Sequence, residues 1–259
     1  FTGAVPYGSG HINDTYKVSI RLAGTPVHYL LQRINHEIFK QPGRVMENIV
    51  RVTEHLQGKL AAGGEAEASR KTLTVIPARD GLPYVRDPAG NWWRLYLFIE
   101  GAQTYDVIEN ERQAYEAARA FARFQNQLAD LPAPRLHETI PAFHNTLSRV
   151  KALEAVAAAD VCGRKAAAAA ELAFVEERRE QCGRLLARNA CGEIPERITH
   201  NDTKINNVML DDATGEGICV IDLDTVMPGL ALYDFGDMVR SATASAQEDE
   251  RDLSKVGSR

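Results

Sequence analysis

The 259-residue sequence has little of what marks a specialised scaffold. Cysteine occurs four times, at Cys162, Cys182, Cys191 and Cys219, without C-x-x-C spacing. That excludes a zinc-knuckle framework, and a chain of this length needs no disulfide staples. The thiols read as those of a reducing, cytoplasmic protein. No apolar run approaches the ~18 residues that a membrane-crossing helix requires, so a membrane is not expected as a partner. Basic excess is also missing: 30 Lys and Arg face 35 Asp and Glu, for a formal charge of -5. A phosphate-backbone binder usually carries the opposite balance, which argues against nucleic acid. Internal repeats are absent, and the only low-complexity tract is Ala166–Ala170. With 44% hydrophobic and 25% charged residues, disorder is excluded as well. The chain starts at Phe1 without an initiator methionine and stops at Gly257-Ser258-Arg259, so both ends read as cuts.

The first hundred residues carry strand signals. Tyr16–Ile20 and His28–Gln32 flank the turn residues Ala23-Gly24-Thr25-Pro26, a hairpin pattern. Between Gly43 and Leu60, Val45, Ile49, Val52 and Leu56 recur at spacings of three and four, which predicts an amphipathic helix. Residues 61–70 read as a mobile loop. Leu73–Ile76 and Trp92–Ile99 resume strand character around an Asp87–Asn91 turn. Beyond Gly101, Ala114, Ala117, Phe121 and Leu128 mark a helix face, and residues 150–188 continue helical. The expectation is an α+β body of two lobes: a small antiparallel-sheet lobe with one helix at 1–99, a hinge at 100–104, and a larger, mainly helical lobe at 105–259. Ligands favour such junctions.

The chemistry concentrates in Thr199-His200-Asn201-Asp202-Thr203-Lys204-Ile205-Asn206-Asn207, of the form H-x-D-x-x-x-x-N, followed by Cys219-Val220-Ile221-Asp222-Leu223-Asp224. Phosphoryl transfer from ATP needs a carboxylate to orient and deprotonate the attacking hydroxyl, and oxygen ligands for Mg²⁺ on the phosphates. Asp202 suits the first task; Asn207 and Asp222 suit the second. Lys204 is a candidate to neutralise charge on the migrating phosphoryl. A literal Asp234-Phe235-Gly236 is passed over as the metal motif, because helix-like sequence follows it, whereas Asp222 ends an apolar strand.

These blocks resemble the aminoglycoside phosphotransferase and choline kinase superfamily, whose fold is similar to that of protein kinases. The nearer resemblance is to the N-acetylhexosamine 1-kinases, through Tyr7-Gly8-Ser9-Gly10-His11-Ile12-Asn13-Asp14-Thr15-Tyr16, Leu31–Asn35, Thr199–Lys204 and Asp222–Gly229 with Tyr233–Asp237. It implies ATP and Mg²⁺ as cofactors and a small sugar as the partner, phosphorylated at the anomeric hydroxyl of N-acetylglucosamine or N-acetylgalactosamine, with Asp202 as base. It implies a bracing role for Asp234 and a family length that extends past Arg259. Gly8, Ser9 and Gly10 would approach the phosphates through backbone amides. Phe98, Ile99 and Glu100 would form the hinge around adenine. The third strand lacks the kinase lysine: Arg33 is the expected replacement, with Lys17 as runner-up, Gln32 on the opposite face and Glu47 as the helix partner. Asp224, His144, Asn145 and Arg240 are the expected substrate contacts. Among enzymes the alternative is a kinase for another small alcohol or amino sugar, such as choline, homoserine or an aminoglycoside; from a different class, it is a catalytically silent nucleotide-binding module.

Overall fold

A computed structural model describes residues 1–8, 10, 12–244, 246 and 250–257. Strands β1 (Gly3–Pro6), β2 (Asp14–Leu22) and β3 (Thr25–Ile34) run antiparallel. The β2–β3 turn is only Ala23-Gly24, and both residues take positive φ, the turn whose twist matches the flanking strands. Helix α1 (Pro42–Ala62) starts on a proline, which suits a first turn where the missing N–H is not needed. It buries the predicted face of Val45, Ile49, Val52 and Leu56.

Past that face the structure departs from expectation. The segment predicted as a loop continues α1 to Ala62 and adds a short helix α2 (Ala68–Lys71). Leu73–Ile76 makes only an isolated bridge, Val75 to Tyr96. Strands β4 (Val85–Arg86) and β5 (Trp92–Leu97) complete a sheet ordered β1-β2-β3-β5-β4.

Chain direction then turns through Gly101, at φ +66, into β6 (Ala102–Gln103), which pairs with β8 (Val208–Asp211) of the second half. Helix α3 (Glu111–Gln127) is capped by Asn110, whose side chain accepts from the Gln113 N–H at 3.0 Å. Its Ala117, Ala120, Phe121 and Phe124 are buried. The stretch expected to be helical holds four helices, α4 (Thr146–Ala159), α5 (Ala169–Glu177), α6 (Arg179–Cys182) and α7 (Arg184–Ala190). Asp160, at φ +40, ends α4, and Val150 is the only fully buried residue of these four helices. Strand β7 (Arg197–Thr199) pairs with β10 (Met227–Gly229), β9 (Gly217–Val220) pairs with β8, and α8 (Ala231–Thr243) follows.

One buried cluster runs through both halves, from Ile34, Ile49 and Tyr96 to Phe121, Val208, Leu223 and Val226. Among the described residues, no helix is long and apolar enough to cross a membrane.

Candidate active site

The motif loop leaves β7 and is fixed from below. Asn201 takes φ +66, a region that costs a residue with a Cβ unless its surroundings hold it. Here Asp234, in the first turn of α8, accepts from the backbone N–H groups of His200 (2.9 Å) and Asn201 (2.7 Å), while Gln125 donates to it at 2.5 Å. The Asn201 amide turns inward to the Thr225 carbonyl at 2.9 Å. Thr203 is held by Asp237 through its backbone N–H at 2.8 Å. His200 is fully buried between Phe121 and Phe124. Its Nε2–H donates to the Ile221 carbonyl at 2.8 Å and its Nδ1 accepts from the Asp202 N–H at 3.3 Å, the arrangement of a singly protonated ring. Both nitrogens are used in holding the loop, so His200 positions Asp202.

Asp202 itself is partly open. Asn207 donates to the Asp202 carboxylate at 3.0 Å and to its carbonyl at 2.8 Å, and Lys204 Nζ stands 3.5 Å from the other carboxylate oxygen. With the Asn207 N–H groups engaged, its amide oxygen is left for a ligand. Asp222, at φ +56, is open to the floor of a cleft that Asn207 also lines. The surrounding walls desolvate its carboxyl, and the Asp224 charge adds repulsion, so its pKa is pushed up to about 6 although Arg94 pulls the other way. A carboxylate so placed gains from a nearby cation. Among the described residues, no cluster of three His, Cys, Asp or Glu could hold a metal. Two oxygen donors beside phosphates nevertheless fit Mg²⁺, which keeps substrate oxygens and water in its shell.

Above this floor the cleft is lined by Tyr7, Gly8 and Gly10, by Thr15, Leu30 and Gln32 from the sheet, and by Phe98 and Ile99. A Cβ at Gly8 or Gly10 would meet nothing within 4 Å, so the backbone there is open to close approach; Gly8 also takes φ +84. Ser9 lies outside the described residues. Glu100 sits at the rim, its carboxylate 2.5 Å from His28 Nδ1 and its carbonyl accepting from Arg70.

Several expectations need correction. Arg33 does not face the cleft: strand alternation turns it outward, where it pairs with Asp14, and Gln32 points in instead. Glu47 is bonded to His137 at 2.7 Å and has no cation partner on β3. Asp224 is only 2% exposed and sealed by Arg94 and Asn13, so it is closed to substrate. His144 donates to the Asn201 carbonyl at 2.9 Å, and Asn145 caps α4 by accepting from the Ser148 N–H. Both line a second hollow beside Asn201, Gly229 and Tyr233 rather than the cleft over Asp222. Arg240 pairs with Asp237 at 2.7 Å. Lys17 lies over the Phe98 ring, 3.9 Å from its centroid, toward the hinge.

The residue missed altogether is Arg94. It stands opposite Gln32 on β5, 2% exposed, with its guanidinium on Asp224. A lone arginine inside Trp92-Trp93-Arg94-Leu95-Tyr96-Leu97 was the available signal, since a buried charge needs a partner.

Residues 3–255 match the model of a family described as "Phosphotransferase enzyme family". Among solved structures, the chain is similar to a thermostable mutant of aminoglycoside phosphotransferase APH(4)-Ia (16% identity, TM-score 0.53, 93% of this chain and 76% of that one). It is also similar to aminoglycoside 2'-phosphotransferase-IIIa in its GDP complex (12%, 0.53, 93% and 72%) and to choline kinase LicA from Streptococcus pneumoniae (15%, 0.50, 94% and 71%). At these identities the likeness establishes the fold, which is protein-kinase-like.

Proposed function

Because the chain belongs to the phosphotransferase enzyme family, we propose that it transfers the terminal phosphoryl group of ATP to a hydroxyl of a small sugar, with the anomeric hydroxyl of an N-acetylhexosamine as the preferred acceptor. One observation carries the reading. Asp202, steadied by Asn207 at 3.0 Å, stands beside the cleft floor where Asn207 and Asp222 offer oxygen ligands beneath the open Gly8–Gly10 backbone. The sugar acceptor is supported by the resemblance of Tyr7–Tyr16, Thr199–Lys204 and Asp222–Gly229 to the N-acetylhexosamine 1-kinases.

In this mechanism the Asp202 carboxylate accepts a hydrogen bond from the acceptor hydroxyl, aligns its oxygen with the terminal phosphorus and takes its proton as the new P–O bond forms and the bond to the bridging oxygen breaks, with ADP as the leaving group. Asn207 and Asp222 would hold Mg²⁺, which when bound would neutralise charge on the phosphates. Lys204 offsets charge developing on the phosphoryl oxygens. Leu30, Tyr96, Phe98 and Ile99 give the nucleobase an apolar enclosure.

The test is phosphate transfer from Mg-ATP to N-acetylglucosamine, N-acetylgalactosamine, free hexoses, choline and an aminoglycoside, with the product located by ³¹P NMR. An anomeric phosphate on an N-acetylhexosamine supports the full reading. Transfer to another acceptor keeps the kinase and removes the sugar, and nucleotide binding without transfer to any acceptor overturns it.

A further inference from the structure

Among the described residues, the cleft has no β3 lysine paired with a helix glutamate of the kind that serves the nucleotide phosphates in protein kinases. Beside the cleft lies instead a buried carboxylate reached from two parts of the N-terminal half. Asp224 lies in the tight turn after Asp222. Arg94, on β5, ion-pairs with both of its oxygens, with Nη2 at 3.0 Å from Oδ2. Asn13, just beyond the glycine segment, donates to Oδ2 at 2.7 Å. The Asn13 amide oxygen in turn accepts from the Asn35 N–H at 3.0 Å, and Arg94 Nε donates to Gln32 at 2.9 Å, so neither donor is free to swing. A pair this deeply buried is weak evidence for a stability role, because desolvation consumes most of the attraction and an apolar contact would join the lobes as well. Its directional content is what an apolar contact lacks: a two-pronged guanidinium fixes the plane of a carboxylate.

We infer that Arg94 is a positioning residue for the cation site: acting through Asp224, it sets the turn that presents Asp222, while Asn13 ties the glycine segment to that same carboxylate. The surface that meets phosphates and the oxygens that meet Mg²⁺ are thereby held as one unit. This inference rests on the reading of the cleft as a Mg-nucleotide site. It predicts that loosening the pair harms cation-assisted nucleotide binding far more than binding of nucleotide alone. Groups standing behind metal ligands change metal affinity by about 10–100-fold when removed.

The experiment is calorimetric titration of ADP with and without Mg²⁺ on the full chain, for the parent protein, Arg94→Lys and Asn13→Ala, with thermal melts alongside. Arg94→Lys keeps the charge and loses the fork; its Mg²⁺-dependent gain in ADP affinity is expected to fall about tenfold or more, with metal-free affinity within about threefold of the parent. Asn13→Ala, which leaves the ion pair in place, is expected to lose a smaller part of the gain, about threefold, and tests the idea even if Arg94→Lys fails to fold. Undiminished Mg²⁺ gain in folded variants overturns the inference, as does an equal loss with and without Mg²⁺. A parent protein with no Mg²⁺ gain at all instead overturns the nucleotide reading on which it rests.

Discussion

Asp202 and Asp222 do opposite things to the protein that carries them. Asp202 is partly open and already holds two donors, Asn207 and Lys204. Replacing it with Asn costs little structure and removes the base, so Asp202→Asn is expected to lower turnover by about 10²–10⁴-fold while ADP affinity stays within about threefold; steady-state rates and titration calorimetry check both halves. Asp222 is held with its carboxyl pKa near 6, first by desolvation and then by Asp224. The folded state therefore keeps a proton that the unfolded chain has released, in the window from ~4 to about 6. Stability falls as pH rises through that window. Asp222→Asn abolishes the fall, and thermal melts without nucleotide should show the variant more stable than the parent at pH 7.5 and little different at pH 4. That substitution is also expected to remove Mg²⁺-assisted ADP binding. Neither feature is legible in the sequence: the left-handed backbone of Asp222 is not announced by its neighbours, and the desolvation behind the raised pKa comes from walls that only the fold assembles.

Helix α8 and strand β9 show what neighbouring elements ask of single residues. Asp234 accepts two backbone N–H groups from the motif loop and one from Gln125. Asp234→Ala leaves those donors buried and unmatched, and is expected to cost about 2–4 kcal/mol in urea unfolding. A Cβ at Gly217 would come within 2.6 Å of the Glu116 carbonyl on α3. Gly217→Ala therefore pushes α3 off the strand and is expected to cost about 1–3 kcal/mol by the same measurement. At this scale the sequence was informative where pattern is local: the β2–β3 hairpin and α1 follow their turn residues and apolar spacing. The helical character of α4 to α7 is legible because alanine supports helix throughout, while the break at Asp160 depends on a left-handed residue that composition does not announce. Leu73–Ile76 has the β-branched look of a strand but meets β5 through a single bridge. The inward choice of Gln32 over Arg33 follows a strand phase that one sequence leaves open, and Arg94 came into view only when β5 was laid beside β3.

Across the whole molecule, the two parts are joined around Glu100 and Gly101 as well as through the core. Arg70 donates to the Glu100 and Gly101 carbonyls and to Asp211 on β8. The guanidinium, followed by the Thr214 N–H, lowers the Asp211 pKa to about 2. The stabilising effect of this contact is full above the ordinary carboxyl range near ~4 and is lost as pH falls through about 2. Arg70→Ala should therefore melt below the parent by a constant interval from pH 8 to 5, with the interval closing on further acidification. Hydrogen exchange should rise at the hinge and in β8 in the same variant. The two-part architecture was legible from the change in composition near Gly101, and Asp202, Asn207 and Asp222 from their spacing; the ties between the parts were not, because each joins residues far apart in sequence. The Arg94–Asp224 pair has a consequence for the chain's modularity. Divided near Gly101, the N-terminal piece would keep the guanidinium and the C-terminal piece the carboxylate, each without the counter-charge it is buried against. Neither piece is a self-sufficient building block, and recombination with a relative's lobe would have to carry both charges across together.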